Sequence, residues 1–255
     1  MRPKVGVVFI GTNKYVNFFP KWKQAVDDHF LNECDKTLVA FSDGNVPEFN
    51  ADHVVVFNVP PVVWPEATLY RYKFVNEALN SGELPDLDYI FYLDGDLFPV
   101  QDIRLEDITS GDKPLTGVHH PGNATNPSWN TFERRGISTA DVGDLPSKLG
   151  AKAVYHQGCL WGGKINAVKK MVETLDRRIT EDESNGIHAV WYDESQMNKY
   201  FLENIDQVNT VSWLFAFPEV GSWHMYVPEG KTPMMVHVDK DDSAYPRYPS
   251  DGKTR

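Results

Sequence analysis

The chain has 255 residues, of which 41% are hydrophobic and 24% charged, a globular composition with enough length for one large α/β domain or two small ones. Its formal net charge of −11 argues against a surface for nucleic acid or anionic lipid, since either would need a basic patch. No apolar stretch approaches the roughly 20 residues that a membrane-spanning helix needs, and no small-residue cleavage site follows the first apolar run. With only two cysteines, Cys34 and Cys159, the chain cannot form a disulfide framework. These features predict a cytoplasmic protein.

The first hundred residues alternate short apolar runs with segments of helical periodicity. We predict strands at Lys4–Ile10, at 37–41 and at 53–59, and helices from about residue 18 to 33 and from 66 to 81. This alternation is typical of parallel β-α-β units. Arg71 falls near the start of the second helix, off its apolar stripe. A lone arginine in such a position is usually solvated, but here it could also face a bound phosphate.

An acid-glycine-acid triplet follows the most apolar of the predicted strands. The strand is Tyr89–Leu93, and Asp94, Gly95 and Asp96 come directly after it. Divalent cations such as Mg²⁺ prefer oxygen ligands and keep open positions for substrate phosphates. In open α/β sheets, ligands bind at the carboxyl ends of the strands. Acid-x-acid triplets are common in solvated loops, so the triplet alone is weak evidence for a metal site. The apolar strand predicted directly before Asp94 is what favours that interpretation.

The second half of the chain is less regular. We predict strands at Leu115–His119 and at 154–163, a long amphipathic helix from Ile165 to about residue 179, and another helix that ends near residue 202. Residues 121–127 and 141–150 are predicted to be loops. The polar tail, residues 240–255, is expected to become ordered only on binding. No repeat or Gly/Ser linker divides the chain, so we interpret residues 1–255 as a single domain.

Three further motifs carry a resemblance to a known family. Residues 191–202 read W-Y-D-E-S-Q-M-N-K-Y-F-L, residues 131–135 read T-F-E-R-R, and residues 160–163 read L-W-G-G. Together with the Asp94-Gly95-Asp96 triplet, they resemble glycosyltransferase family 6, which includes the mammalian α-1,3-galactosyltransferase and the blood-group A and B transferases. The family patterns are W-H-D-E-S-x-x-N-K-Y-F-L, T-Y-E-R-R, x-F-G-G and D-x-D, so the longest motif departs only at Tyr192. The mammalian members carry a membrane anchor and stem, and this chain looks like the bare catalytic core.

The resemblance implies a fold and a reaction. The fold would be GT-A, an α/β architecture in which residues 1–100 mainly bind the sugar nucleotide and residues 101–255 mainly bind the acceptor and carry catalysis. The reaction would move galactose or N-acetylgalactosamine from UDP to an oligosaccharide acceptor in α-1,3 linkage with retention, aided by Mn²⁺ or Mg²⁺. Gly158 is small, which favours the bulkier N-acetylgalactosamine slightly.

The resemblance also assigns the residues of the site. The nucleotide, its phosphates and the metal would be bound by Ile10, Gly11, Thr12, Tyr15, Arg71, Asp94, Gly95, Asp96, Lys240 and Arg247, with Tyr15 stacking on uracil and Asp94 and Asp96 as metal ligands. Donor and acceptor sugars would contact His119, His120, Thr131, Gln157, Gly158, Cys159, Trp191 and Asp193. Glu194 would be the catalytic carboxylate beneath the anomeric carbon.

Several alternatives stay open from the residues alone. Retention is compatible with a covalent glycosyl intermediate or with an oxocarbenium-like ion pair. Asp193 or Glu194 could instead act as the base of an inverting sugar transferase or a nucleotidyltransferase, or both could be first-turn acids stabilised by the helix macrodipole. A carbohydrate-binding protein without activity is a further possibility. His119 and His120 could form a metal pair, although neighbouring side chains of a strand point to opposite faces.

Overall fold

The computed structural model describes residues 2–129 and 131–239, which form ten strands. In chain order they are β1 (Lys4–Ile10), β2 (Asp35–Ser42), β3 (Val54–Asn58), β4 (Tyr89–Leu93), β5 (Leu97–Pro99), β6 (Leu115–His119), β7 (His156–Lys164), β8 (Val208–Val211), β9 (Phe217–Pro218) and β10 (Met235–His237). Seven of them form one sheet in the spatial order β3-β2-β1-β4-β7-β6-β8. The other three form a small second sheet in the order β5-β10-β9.

The helices connect these strands. They are α1 (Phe19–His29), α2 (Glu66–Leu69), α3 (Arg71–Ser81), α4 (Leu105–Ile108), α5 (Pro121–Thr125), α6 (Leu145–Leu149), α7 (Ile165–Ser184) and α8 (Tyr192–Glu203). Among the described residues, no helix combines the length and apolarity needed to cross a bilayer.

The large sheet is mostly parallel. Strands β3, β2, β1 and β4 run in the same direction, as do β6 and β8, whereas β7 runs antiparallel between β4 and β6. This arrangement confirms the predicted α/β class. The carboxyl ends of β1 and β4 therefore meet at one edge, which is where α/β sheets bind ligands.

Alternate residues of the central strands face two different halves of the core. On β1, Val7 and Phe9 face the cluster that contains Trp22 of α1, whereas Val8 faces the cluster that contains Tyr72 of α3. Phe9 is fully buried, and its ring centroid lies 5.0 Å from that of Phe19. Helices on both faces explain why these strands read as nearly continuous apolar runs rather than as alternating ones.

Two predicted helices differ from the observed ones. The helix predicted to reach residue 33 ends at His29, because Phe30 is extended (φ −112°) and Leu31 has a φ of 54°, which no helix continues. The helix predicted over residues 66–81 is interrupted at Tyr70, whose ψ of 0° separates α2 from α3.

Two predicted loops contain short helices. The interpretation of residues 121–127 as a loop is wrong, because α5 begins at Pro121 and the His120 side chain accepts a hydrogen bond from the Gly122 N–H (3.0 Å) as its N-cap. In residues 141–150, α6 forms because Leu145 and Leu149, one turn apart, pack against a small buried cluster that includes Tyr155.

Candidate active site

Three separate elements bring polar side chains together at the carboxyl edge of β4, and strand β7 adds backbone groups. The turn after β4 carries Asp94 and Asp96, the first turn of α3 carries Arg71, and the first turn of α8 carries Asp193 and Glu194. The antiparallel strand β7 lies beside β4, and its Cys159 carbonyl accepts a hydrogen bond from the Asp94 N–H at 2.9 Å. Residues that are far apart in the chain therefore share one site.

Arg71 lies at the centre of this site. It is only 6% exposed, which excludes the alternative of a solvated arginine and agrees with its selection as a site residue. Its Nη1 donates a hydrogen bond to the Gly158 carbonyl (2.7 Å) and lies 3.3 Å from Asp193 Oδ2, while its Nη2 lies 3.6 Å from Asp94 Oδ1. Burial lowers the pKa of Arg71, but the neighbouring Asp193 and Asp94 outweigh that effect and keep the guanidinium charged. One cation thus links the turn after β4 to the start of α8.

Glu194 is held beside this arginine by the backbone of β7. Its Oε2 accepts a hydrogen bond from the Gly158 N–H at 2.8 Å. Burial raises the pKa of Glu194 to about 7, and the Gly158 N–H offsets only part of that rise. Burial also raises the pKa of Asp193, against the opposing effect of Arg71. Both acids lie in the first turn of α8, where the macrodipole favours them. Asp193 is buried against Arg71, and Glu194 is half-buried next to Gly158.

A second cluster lies at the other end of the site. His237 Nε2 is 3.2 Å from Asp96 Oδ1 and 3.6 Å from Asp94 Oδ2. The three potential ligand atoms all lie within 4.8 Å of one another, and no other group of three or more His, Cys, Asp or Glu residues in the described part of the chain has this spacing. Burial raises the pKa of Asp94, but Arg71 and His237 lower it more, so the carboxylate stays ionised. The Tyr92 hydroxyl also donates a hydrogen bond to Asp94 Oδ1 at 2.5 Å.

His237 was not among the residues that the sequence analysis selected. It lies on β10, a three-residue strand in a segment where short apolar pieces alternate with Pro and Gly. The only local signal is the run Met234-Met235-Val236 before it, which is too short to distinguish a strand from a loop.

Two glycines of the site, Gly95 and Gly158, lie where a side chain would contact the core or the charged residues. A Cβ added to Gly95 would lie 2.8 Å from the Phe9 ring, so packing against the core requires glycine between the two acids. A Cβ added to Gly158 would lie 3.4 Å from both Arg71 Nη1 and Asp193 Oδ2, so this residue faces the acids. The next residue, Cys159, points the opposite way into the core and is 1% exposed, and Gln157 is half-buried.

The predicted nucleotide loop follows β1 at the same edge of the sheet. The Gly11 N–H donates to the Phe41 carbonyl (3.0 Å), and Thr12 Oγ1 donates to the Val62 carbonyl (3.0 Å). Ile10 ends β1 and is half-buried, and Tyr15 is 39% exposed, with its ring near Phe18. The backbone of this loop is thus fixed by hydrogen bonds, while an aromatic ring stays accessible.

Two of the predicted sugar-binding residues, His119 and His120, already have partners within the protein. His119 Nε2 is hydrogen-bonded to Asn123 Oδ1 (3.0 Å), and His120 stacks on Trp129 with ring centroids 4.4 Å apart. Burial lowers the pKa of His120 to about 4, so its ring is neutral. The two histidines have separate partners, which argues against a shared metal. Thr131 and Trp191 are half-buried, whereas Lys240 and Arg247 lie outside the described residues.

A mostly parallel α/β sheet with an acidic cluster at the carboxyl end of a central strand is consistent with the GT-A type of glycosyltransferase fold. The sequence profile of Glycosyltransferase family 6 matches residues 2–212, and the chain therefore belongs to this family.

Individual relatives agree with this assignment. The chain is 29% identical over 217 residues to the O-antigen biosynthesis glycosyltransferase WbnI of Escherichia coli, a match that covers 84% of this chain and 88% of that protein. It is 27% identical over 210 residues to the histo-blood group ABO system transferase 2 of Rattus norvegicus, and 26% identical over 209 residues to the globoside alpha-1,3-N-acetylgalactosaminyltransferase 1 of Homo sapiens. Each of these two matches covers 78% of this chain but only 59% and 57% of the relative. Family membership supports hexosyl transfer as the class of reaction.

Proposed function

We propose that the protein is a retaining, divalent-metal-dependent hexosyltransferase that moves galactose or N-acetylgalactosamine from UDP to a glycan acceptor in α-1,3 linkage. One observation carries the proposal, namely that buried Arg71 joins Asp94 at one end of the site to Asp193 at the other, next to Glu194. The α-1,3 linkage is named for the human relative, which supports the same linkage here.

The end of the site around Asp94 and Asp96 suits a diphosphate and its metal. The carboxylates of Asp94 and Asp96 have ligand oxygens within 4.8 Å of each other, and such a pair fits Mn²⁺ or Mg²⁺ and leaves positions for phosphate oxygens. A bound ion would supply Lewis-acid neutralisation of the charge on departing UDP. Arg71 keeps Asp94 ionised, and its own charge would lie next to the phosphates of a bound UDP-sugar.

The end around Glu194 suits the sugar. Because the Gly158 N–H fixes one oxygen of the carboxylate, the group is already oriented before the donor binds. A carboxylate held in this way stabilises positive charge that develops at the anomeric carbon, or attacks that carbon, and both routes lead to retention. Asp193, held by Arg71, would accept hydrogen bonds from sugar hydroxyl groups.

The remaining residues would surround these two ends. We propose that Ile10, Gly11, Thr12 and Tyr15 hold uridine, since they follow the strand next to β4. We propose that His119, His120, Thr131, Gln157, Gly158 and Trp191 line the sugar and acceptor region, with Gly158 leaving room for the 2-substituent of the donor.

The test is transfer from UDP-galactose and UDP-N-acetylgalactosamine to a panel of oligosaccharides, with UDP release as the rate and NMR for the anomeric configuration of the product. Glu194→Gln should lower turnover by roughly 10²-fold or more, the scale for losing one preorganised stabilising contact, and leave UDP binding nearly intact. Asp96→Asn should also weaken metal and nucleotide binding. Glu173→Gln, on the exposed face of α7, is the matched control and should behave as the wild type.

Each alternative has its own outcome. A β-linked product would support an inverting enzyme, and wild-type turnover by Glu194→Gln would remove its catalytic role. Full activity in EDTA would contradict metal dependence. Sugar binding without release of UDP from the donor, whichever acceptor is present, would support a carbohydrate-binding protein.

A further inference from the structure

We propose that His237 is a direct ligand, through Nε2, of the divalent ion held by Asp94 and Asp96. This inference rests on the metal site proposed above and adds a nitrogen ligand to it, supplied by the second sheet. The ion would then be bound by two separate parts of the protein rather than by the turn after β4 alone.

The distances among the three side chains suit coordination of one ion. Octahedral ligands about 2.1 Å from a small divalent ion lie roughly 3 Å apart when adjacent and about 4 Å apart when opposite. His237 Nε2 is 3.2 Å and 3.6 Å from the two carboxylates, and all three ligand atoms lie within 4.8 Å of one another. An ion can therefore reach all three with small side-chain adjustments.

The Nε2 atom of His237 faces the two carboxylates of the acidic turn. This atom is buried and lies at ion-pair distance from both carboxylates, but it makes no hydrogen bond of ordinary geometry within the described residues. A buried polar atom without a hydrogen bond is uncommon and calls for a ligand or a water molecule. By contrast, His119 and His156 each have a hydrogen-bonding side chain within 3.0 Å of Nε2.

The backbone holds His237 against the acidic turn. His237 pairs with Leu97 in the antiparallel contact between β10 and β5, and the Val238 N–H donates to the Asp96 carbonyl at 3.0 Å. Met235, two residues earlier on β10, is fully buried in the main core. The imidazole is thus positioned before any ion binds, which lowers the entropic cost of coordination.

A nitrogen ligand has a consequence for metal choice. Imidazole favours transition metals, whereas an all-oxygen site also suits Mg²⁺ and Ca²⁺. If His237 only balanced the charge of the two acids, its removal would strengthen or leave unchanged the binding of any cation. If it is a ligand, its removal should weaken Mn²⁺ binding more than Mg²⁺ binding.

The experiment uses the full-length protein with Mn²⁺ alone, without UDP or acceptor. Titration followed by the EPR signal of free Mn²⁺ measures affinity, competition with Mg²⁺ measures selectivity, and pulsed EPR detects the nitrogen of a coordinated imidazole. We expect a nitrogen coupling in the wild type. We expect it to be absent in His237→Gln, together with roughly 10- to 100-fold weaker Mn²⁺ binding, the range found when partners of metal ligands are removed.

His224→Ala is the matched control, since it removes an exposed imidazole elsewhere. It should keep both the coupling and the affinity. Circular dichroism checks that His237→Gln is folded, and His237→Ala is the second variant. The absence of a nitrogen coupling in the wild type, or its persistence in a folded His237 variant, would overturn the proposal. Unchanged or tighter Mn²⁺ binding by that variant would do the same.

This test does not depend on sugar transfer. A protein that binds Mn²⁺ through His237 but releases no UDP would refute the proposed function alone. A transferase whose ion shows no nitrogen coupling would refute the His237 assignment alone.

Discussion

The burial of Glu194 places its carboxylate in the candidate site but lowers the stability of the fold when that carboxylate is charged. The acid has a usual pKa of 4.5, and burial raises it to about 7 in the folded protein. Between these two pH values, the unfolded chain has already lost the proton that the folded protein retains. Since stability falls with rising pH wherever the unfolded state binds fewer protons, the charged form of Glu194 destabilises the fold above pH 7.

We therefore expect Glu194→Gln to be more stable than the wild type at pH 8, by at most about 3 kcal/mol, since one pH unit of pKa difference is worth about 1.4 kcal/mol and part of the side chain still reaches solvent. At pH 4 the wild-type acid is protonated in both states, so the gain should nearly vanish. Urea unfolding of both proteins at the two pH values measures this difference. The control Glu173→Gln should show no such pH dependence, and an equal gain at both pH values would contradict the explanation.

At the scale of secondary structure, the paired glycines of β7 explain one of the family motifs. Gly162 pairs with Phe91 of β4 on one side and Thr116 of β6 on the other. A Cβ on Gly162 would collide with the Ile90 carbonyl, and a Cβ on Gly163 would collide with the Pro114 carbonyl. Gly163 also has a φ of 137°, which side chains disfavour. The site depends on this close approach, because β7 carries Gly158.

Two glycine-to-alanine substitutions distinguish the cost of a positive φ angle from the cost of a collision between neighbouring strands. Gly82→Ala places alanine at a φ of 79° after α3 with nothing within 4 Å of its Cβ, so it should cost only about 1–2 kcal/mol. Gly163→Ala adds the collision with Pro114 and should cost several times more, with loss of the pairing between β6 and β7. Urea unfolding compares the two variants. Similar costs would mean that the sheet adapts easily and that the paired glycines have another purpose.

At the scale of the whole molecule, the net charge of −11 opposes the approach of an anionic UDP-sugar and favours that of a divalent cation. Salt screens both effects, with a Debye length of about 10 Å at 0.1 M. The order of binding that these charges favour is metal first, since the ion lowers the negative potential at the site.

Salt should therefore act in opposite directions on the two ligands. Raising the ionic strength from about 0.01 to 0.15 M should weaken Mn²⁺ binding, because salt screens the attraction between the ion and the acidic protein. With saturating Mn²⁺ present, the same change should speed the association of UDP-sugar, because salt screens the repulsion between the anionic ligand and the protein. Stopped-flow fluorescence measures the association rate. A rate that falls with salt would indicate a local positive field at the site that exceeds the effect of the net charge.

The sequence by itself determined those features that depend on neighbouring residues. Periodicity predicted β1, β4, β6 and α7, because the apolar pattern of a buried strand or an amphipathic helix lies within a short stretch of sequence. The Asp94 and Asp96 pair was identifiable because a buried strand precedes it. The family followed from residues 191–202, and the match to residues 2–212 confirms it.

Only the tertiary structure decided how distant segments meet. The position of β7 between β4 and β6, the burial of Arg71 against Asp94 and Asp193, and the pairing of β10 with β5 all depend on long-range contacts. Such contacts leave almost no trace in local sequence, since strand pairing is set by burial and register across the whole sheet. For that reason the sequence analysis selected Arg71 only through the family resemblance, without its contacts to Asp94 and Asp193, and did not select His237 at all.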